Sequence, residues 1–155
     1  MFAQNSVADE PNRIAIVRLL RATPERTFEV VYDVEKFPEF MPNVLSARVL
    51  QGSEVRKLVE WEMTIDDAPL CWIEEIDFDH AQRSTRFRAV EGAFLRFDGS
   101  WTVTGCDAGT NLEVTVDYDL GVPEIEEFIA PILKVRLTEN LEAMLDYIEA
   151  RADLL

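Results

Sequence analysis

The sequence predicts an α+β domain: a curved antiparallel sheet of seven strands wrapped around one long C-terminal helix, with two short helices after the first strand. Three observations predict it. Six strand-like stretches follow one another between residues 44 and 120, joined only by short links, as in a meander. A seventh, residues 12–20, precedes a strongly signalled helix. Residues 121–155 then hold helical periodicity to the end of the chain. With 155 residues, 48% of them hydrophobic, the chain suits one domain able to bury a real core.

Taken in order, residues 1–11 are polar, end at a proline and read as a flexible tail, which leaves 12–155 as the domain. NRIAIVRLL (12–20) is rich in β-branched residues and reads as a strand. In TPERTFEVVYDV (23–34) Thr23 can cap, Pro24 takes the first helical position and Glu25 favours the positive helix end. Phe28, Val31 and Tyr32 make that helix's apolar face. EKFPEFMPN (35–43), with prolines at 38 and 42, can hold only a short helix or turn.

The six strands read as 44–51, 54–65, 70–79, 83–91, 94–105 and 110–120, punctuated by QGS, DDAP, DHAQ, EGA and CDAGT. The last two alternate most clearly: Leu95, Phe97, Gly99, Trp101 and Val103 share one face, as do Leu112, Val114, Val116, Tyr118 and Leu120. In the closing helix Ile125, Phe128, Ile129, Ile132, Leu133 and Leu137 begin an apolar stripe. It runs on through Leu141, Met144, Leu145 and Ile148, and Pro131 should kink or offset the first turns. Arg136 and Asn140, one turn apart, either face the cavity mouth or, the plainer reading, form a solvated face of this helix.

Charge and composition exclude several functions. Fifteen Lys and Arg against 30 Asp and Glu give a net charge of −15, which repels nucleic acid and anionic membranes. One histidine and two cysteines, with no CxxC or HExxH, leave no metal site and no cofactor to expect. Cys71 and Cys106 read as reduced thiols. The N-terminus lacks a basic, then apolar signal pattern and no apolar run is long enough to span a membrane, so a soluble, cytoplasmic protein is expected.

Specific stretches resemble a known group. Asp33, Val34, Phe37, Pro38 and Phe40 match the D-(I/V)-x-x-(W/F/Y)-P-x-(F/L) motif that follows the first helix of the START/SRPBCC superfamily. Val90, Gly92, Phe94 and Trp101 resemble its V-x-G-P-F…W stretch. The resemblance runs from about residue 12 to 150 and implies the helix-grip (START/Bet v 1-like) fold, with an apolar cavity between sheet and long helix. The polyketide cyclase/dehydrase (aromatase/cyclase) branch looks closest. The Coq10/RatA-like branch, with its quinone, lipid or ribosome binding, comes next. By ungapped placement the cavity tyrosine of the aromatase/cyclases falls at Val44 and their arginine near Pro69 or Leu70, so neither is retained.

Alternation then nominates a cavity lining. Trp61, Met63, Trp72, Phe87, Phe97 and Trp101 are expected to bind ligand, with Tyr32, Phe128 and Leu137 from the helices. Glu91 falls on the same side by alternation. A packed aromatic core is the plainer explanation of the same residues. Gly99 adds a hint of inward space. Glu74, on the face of Trp72, Ile76 and Phe78, is the candidate acid or base, with Tyr118 as a second catalytic candidate. The plainer alternatives for Glu74 are an ion pair with Arg86 or Arg88, or a bulge that turns Glu75 inward instead.

Two functions follow as expectations. One is an enzyme that cyclises or dehydrates a polyketide-like ligand, with an acyl carrier protein as a partner, although no basic patch for it is evident. The other is a non-catalytic carrier of a quinone, lipid or polycycle. Ribosome binding sits badly with the negative charge. The sequence leaves monomer and homodimer open.

Overall fold

The computed structural model describes residues 12–65 and 67–154. The segment expected to be a tail lies outside the described residues. Strand β1 (Arg13–Leu20) leads through helix α1 (Pro24–Tyr32), a 3-10 turn (Val34–Lys36) and the one-turn helix α2 (Phe37–Phe40) into β2 (Val44–Gly52). Then come β3 (Arg56–Ile65), β4 (Ala68–Asp79), β5 (Ser84–Gly92), β6 (Arg96–Cys106) and β7 (Gly109–Asp119). Helix α3 (Pro123–Ala152) closes the chain.

The seven strands form one sheet in the order β1-β7-β6-β5-β4-β3-β2, every neighbouring pair antiparallel. The consecutive hairpins build the meander, and β1 is added beside β7. Local chemistry sets the helix starts as expected. The Thr23 hydroxyl accepts from the Arg26 amide at 3.1 Å, and Pro24 occupies the first turn.

The core lies between the concave face of the sheet and α3. Val59, Leu112, Val114 and Val116 come from the sheet, and Leu145 and Ile148 from the helix, all at most 1% exposed. On the outer face charged side chains pair across strands. Arg13 grips Asp117 through two bonds of 2.8 and 2.7 Å, and Arg88 meets Glu75 at 2.9 Å. Arg13 is the largest influence on Asp117 and holds its carboxyl below the usual range.

Two expectations need correction. The apolar stripe of α3 is packed only over its C-terminal part. Leu137, Leu141, Met144, Leu145 and Ile148 are buried, whereas Ile125, Phe128 and Ile132 are 51%, 88% and 63% exposed. A helix of 30 residues is about 45 Å long. Its first turn meets the chain before β1 through polar groups, Asn12 Nδ2 donating to Glu126 Oε2 at 3.3 Å, which leaves the apolar side chains there uncovered. The helix nevertheless passes through Pro131 as one element.

Gly99 is not a sign of space either. A Cβ there would lie 1.8 Å from the Thr115 carbonyl oxygen and 2.9 Å from the Phe87 ring. The missing side chain lets strands and an aromatic ring close up.

Candidate functional site

The site is built on β4, where the register is decided by one bulge. Trp72 pairs with Gly92 and Ile73 with Glu91, but Glu74 pairs with Ala89, so Val90 is the extra residue on β5. The bulge therefore falls on the partner strand and leaves the alternation of β4 intact. Glu74 points inward at 5% exposure, and Glu75 points outward to Arg88. The same bulge turns Glu91 to solvent, although alternation sets it among the inward candidates.

Glu74 has neither arginine as partner. Its two oxygens accept from two indoles: Trp61 Nε1 at 3.2 Å to Oε1 and Trp72 Nε1 at 3.0 Å to Oε2. Trp61 stands opposite Trp72 on β3, and Val59 opposite Glu74, so all three side chains share one face within one rung of each other. Burial pushes the carboxyl up from its ordinary 4.5 to about 7, and the two indole hydrogen bonds hold it from rising further.

The carboxyl opens onto a cavity between sheet and α3; the space within it and outside its mouth, open solvent included, comes to about 850 Å³. Trp61 and Met63 line it from β3, Trp72 and Glu74 from β4, and Phe87 from β5. Phe97 and Trp101 on β6 join them, and Leu137 lines the cavity from α3. The rings also touch one another: Trp72 meets Phe97 edge-on at 5.7 Å, and Phe97 lies 6.0 Å from Phe87. Leu70, near where the aromatase/cyclase arginine would fall, gives the lining an aliphatic chain, and Val44 is buried.

Three nominated residues lie elsewhere. Tyr118 is 2% exposed but sits at the end of β7, where the chain turns through Gly121 into α3, outside the cavity lining. Burial raises its hydroxyl, with Glu126 adding to the effect. Tyr32 stands behind the wall: its ring packs edge-on against Phe78 at 4.7 Å, and the Lys57 ammonium lies 4.0 Å from its centre. Phe128 projects from the uncovered start of α3.

Other lining groups carry no signal in the alternation. Val31 enters from α1, Val34 from the turn after it and Phe37 from α2. Thr85 and Asn140 bring the cavity its polar side chains besides Glu74 and the three indoles. For Asn140 a signal exists: by spacing it shares the helical face of Leu137, Leu141 and Met144, and it lines the cavity rather than a solvated face. Arg136, one turn before it, is exposed as expected and bonds Glu139 at 3.2 Å.

No helix among the described residues is long and apolar enough to cross a membrane. The arrangement can hold an apolar molecule against aromatic walls, with one proton-exchanging carboxyl facing it.

Comparison with known proteins agrees with this architecture. TTHA0849 of Thermus thermophilus superposes with a TM-score of 0.84 at 26% identity, over 90% of this chain and 96% of that one. The Zhui aromatase/cyclase of Streptomyces sp. R1128 gives 0.84 at 18% identity, over 91% and 93%. A START superfamily protein of Mycobacterium smegmatis gives 0.79 at 17% identity, over 92% and 97%. These likenesses establish the helix-grip fold. Among curated proteins none matches the sequence. The profile of the family described as polyketide cyclase / dehydrase and lipid transport matches residues 20–145, most of the chain and the whole cavity-forming part. The chain therefore belongs to the polyketide cyclase / dehydrase and lipid transport family.

Proposed function

We propose that the protein binds an aromatic or polyketide-like ligand in this cavity and promotes its cyclisation or dehydration, with Glu74 as the acid–base group. The observation that carries the reading is a buried carboxyl facing an apolar cavity, raised to about 7 and so divided between both protonation states near neutrality. The two indoles fix its orientation and leave lone pairs for a substrate. As carboxylate it takes a proton from the carbon beside a ketone. As acid it returns one to the departing hydroxyl, so that water leaves and a C=C bond forms. The aromatic walls hold the chain folded, which supplies part of the rate by proximity. Tyr118, outside the lining, has no place in this step.

The test uses a naphthyl β-hydroxyketone probe. Wild-type protein is expected to speed its dehydration with a pH profile that inflects near 7, and Glu74→Gln to bind the probe but lose the acceleration. Equal rates in both proteins would remove Glu74 from the chemistry.

A carrier is the second reading, favoured by one observation: both oxygens of Glu74 already accept a hydrogen bond without any ligand. Native mass spectrometry of purified protein, followed by extraction, separates the two. A quinone or lipid bound one to one and released unchanged would favour the carrier.

A further inference from the structure

The cavity has a second polar post, on the wall opposite the sheet. Asn140 lines the cavity from α3, in the middle of the buried face formed by Leu137, Leu141 and Met144. Its carbonyl oxygen accepts from Asn43 Nδ2 at 2.6 Å. Asn43 lies just before β2, and its own carbonyl accepts from the Thr64 amide at 2.9 Å, which ties it to the end of β3. The Asn140 amide is thus fixed at one end, while its NH2 has no hydrogen-bond partner among the described residues. The pair is unsaturated on the other side as well: Asn43 Oδ1 is buried without a partner.

Two amides joined by one hydrogen bond always leave a donor and an acceptor over. Inside an apolar wall a polar group left over costs more than it contributes, unless something else meets it. A helix stripe made only to pack against the sheet would carry leucine at this position.

Thr64 pairs with Pro69, five residues before Glu74 on β4, or roughly 16 Å along the strand. Glu74 and the strand end that holds Asn43 are thus separated along the sheet, and Asn140 stands on the helix wall.

We propose that Asn140, held by Asn43, is a ligand-orienting residue that donates to an acceptor oxygen of the bound molecule, remote from the group that meets Glu74. This rests on the cavity reading above and narrows it. The ligand is an elongated polycycle or chain that carries a carbonyl or ether oxygen at its far end, not a plain hydrocarbon. Asn43 acts through Asn140 as a positioning residue.

The test compares two rigid probes of the same shape, fluorenone with its carbonyl and fluorene without it, by equilibrium dialysis at about pH 9. There Glu74 is ionised and cannot donate to the carbonyl. Asn140→Leu and the near-isosteric Asn140→Asp are expected to lower the fluorenone-to-fluorene affinity ratio roughly three- to tenfold, the worth of one neutral hydrogen bond. Fluorene affinity itself should hold in Asn140→Leu. Asn43→Leu should lower the ratio in the same direction, and the double leucine variant no further than Asn140→Leu. Asn140→Asp keeps the test open should the leucine variant fold poorly. An unchanged ratio in both Asn140 variants, with fluorene still bound, would overturn the post and leave the cavity reading standing. Failure of wild-type protein to bind either probe would overturn both.

Discussion

Trp61 and Trp72 face each other across the β3–β4 ladder, ring centres 6.0 Å apart and planes 19° from parallel, and both direct their indole N–H to the carboxyl of Glu74. Stacking aligns the two rings, so two donors converge on one buried group. The aromatic pair thereby serves the cavity wall and the electrostatics of its acid together.

That convergence sets the protonation of Glu74. Removing either donor, by Trp61→Phe or Trp72→Phe, should raise its pKa above about 7 by roughly one unit, the worth of one hydrogen bond to a charged group. The double variant should rise further. NMR titration of side-chain-labelled glutamate reads the shift. An unmoved pKa in both single variants would mean that the indoles do not hold the charge.

The same group makes stability depend on pH in a defined direction. The folded state binds the Glu74 proton more tightly than the unfolded state does, at about 7 against 4.5. Below 4.5 both states are protonated and nothing is lost. Between 4.5 and 7 the contribution of Glu74 falls as pH rises, and it is flat above. The full span is roughly 3 kcal/mol. In denaturant unfolding, Glu74→Gln should therefore gain on wild type by about that much between pH 4 and pH 8. Parallel profiles would refute the burial of the charge.

Gly99→Ala should cost at least about 2 kcal/mol, because its Cβ would lie 1.8 Å from a backbone oxygen that cannot move without opening the β6–β7 ladder. Thermal unfolding followed by circular dichroism measures it. A neutral result would show that the two strands have room to part.

The two parts of α3 should respond differently to truncation. Phe128→Ala, at an 88% exposed position, should change stability by less than about 0.5 kcal/mol. Leu145→Ala, fully buried, should cost about 2–5 kcal/mol. A large loss at Phe128 would mean that this part of the helix is covered in solution.

Much of the site is legible without the fold. Strict alternation in WIEEIDFD places Glu74 beside Trp72, and the same rule places Trp61, Phe87 and Phe97 around it. The rule works because a strand buried on one face has only two sides to offer. It fails for Glu91, where the extra residue Val90 reverses the parity beyond it, and a bulge leaves no reliable mark in one sequence. It is insufficient for Tyr118, which lies on the inward face opposite Phe97 yet outside the cavity lining.

The helix shows the same division. Its periodicity is plain from residue 121 onward, yet Leu137, Leu141, Leu145 and Ile148 are buried while Ile125, Phe128 and Ile132 are bare. Period states which residues share a face, not whether another element reaches that face. The Asn43–Asn140 bond joins residues 97 positions apart and has no local signal at all.

Local period, capping and turn chemistry set the order of elements, the curved meander with its covering helix, and the inward set of β4. What Glu74 meets, which part of α3 is covered and which tyrosines miss the cavity are settled by packing in space. Those depend on distances between strands and helix that no short stretch of chain encodes, and a buried carboxyl takes its charge state from what surrounds it in space.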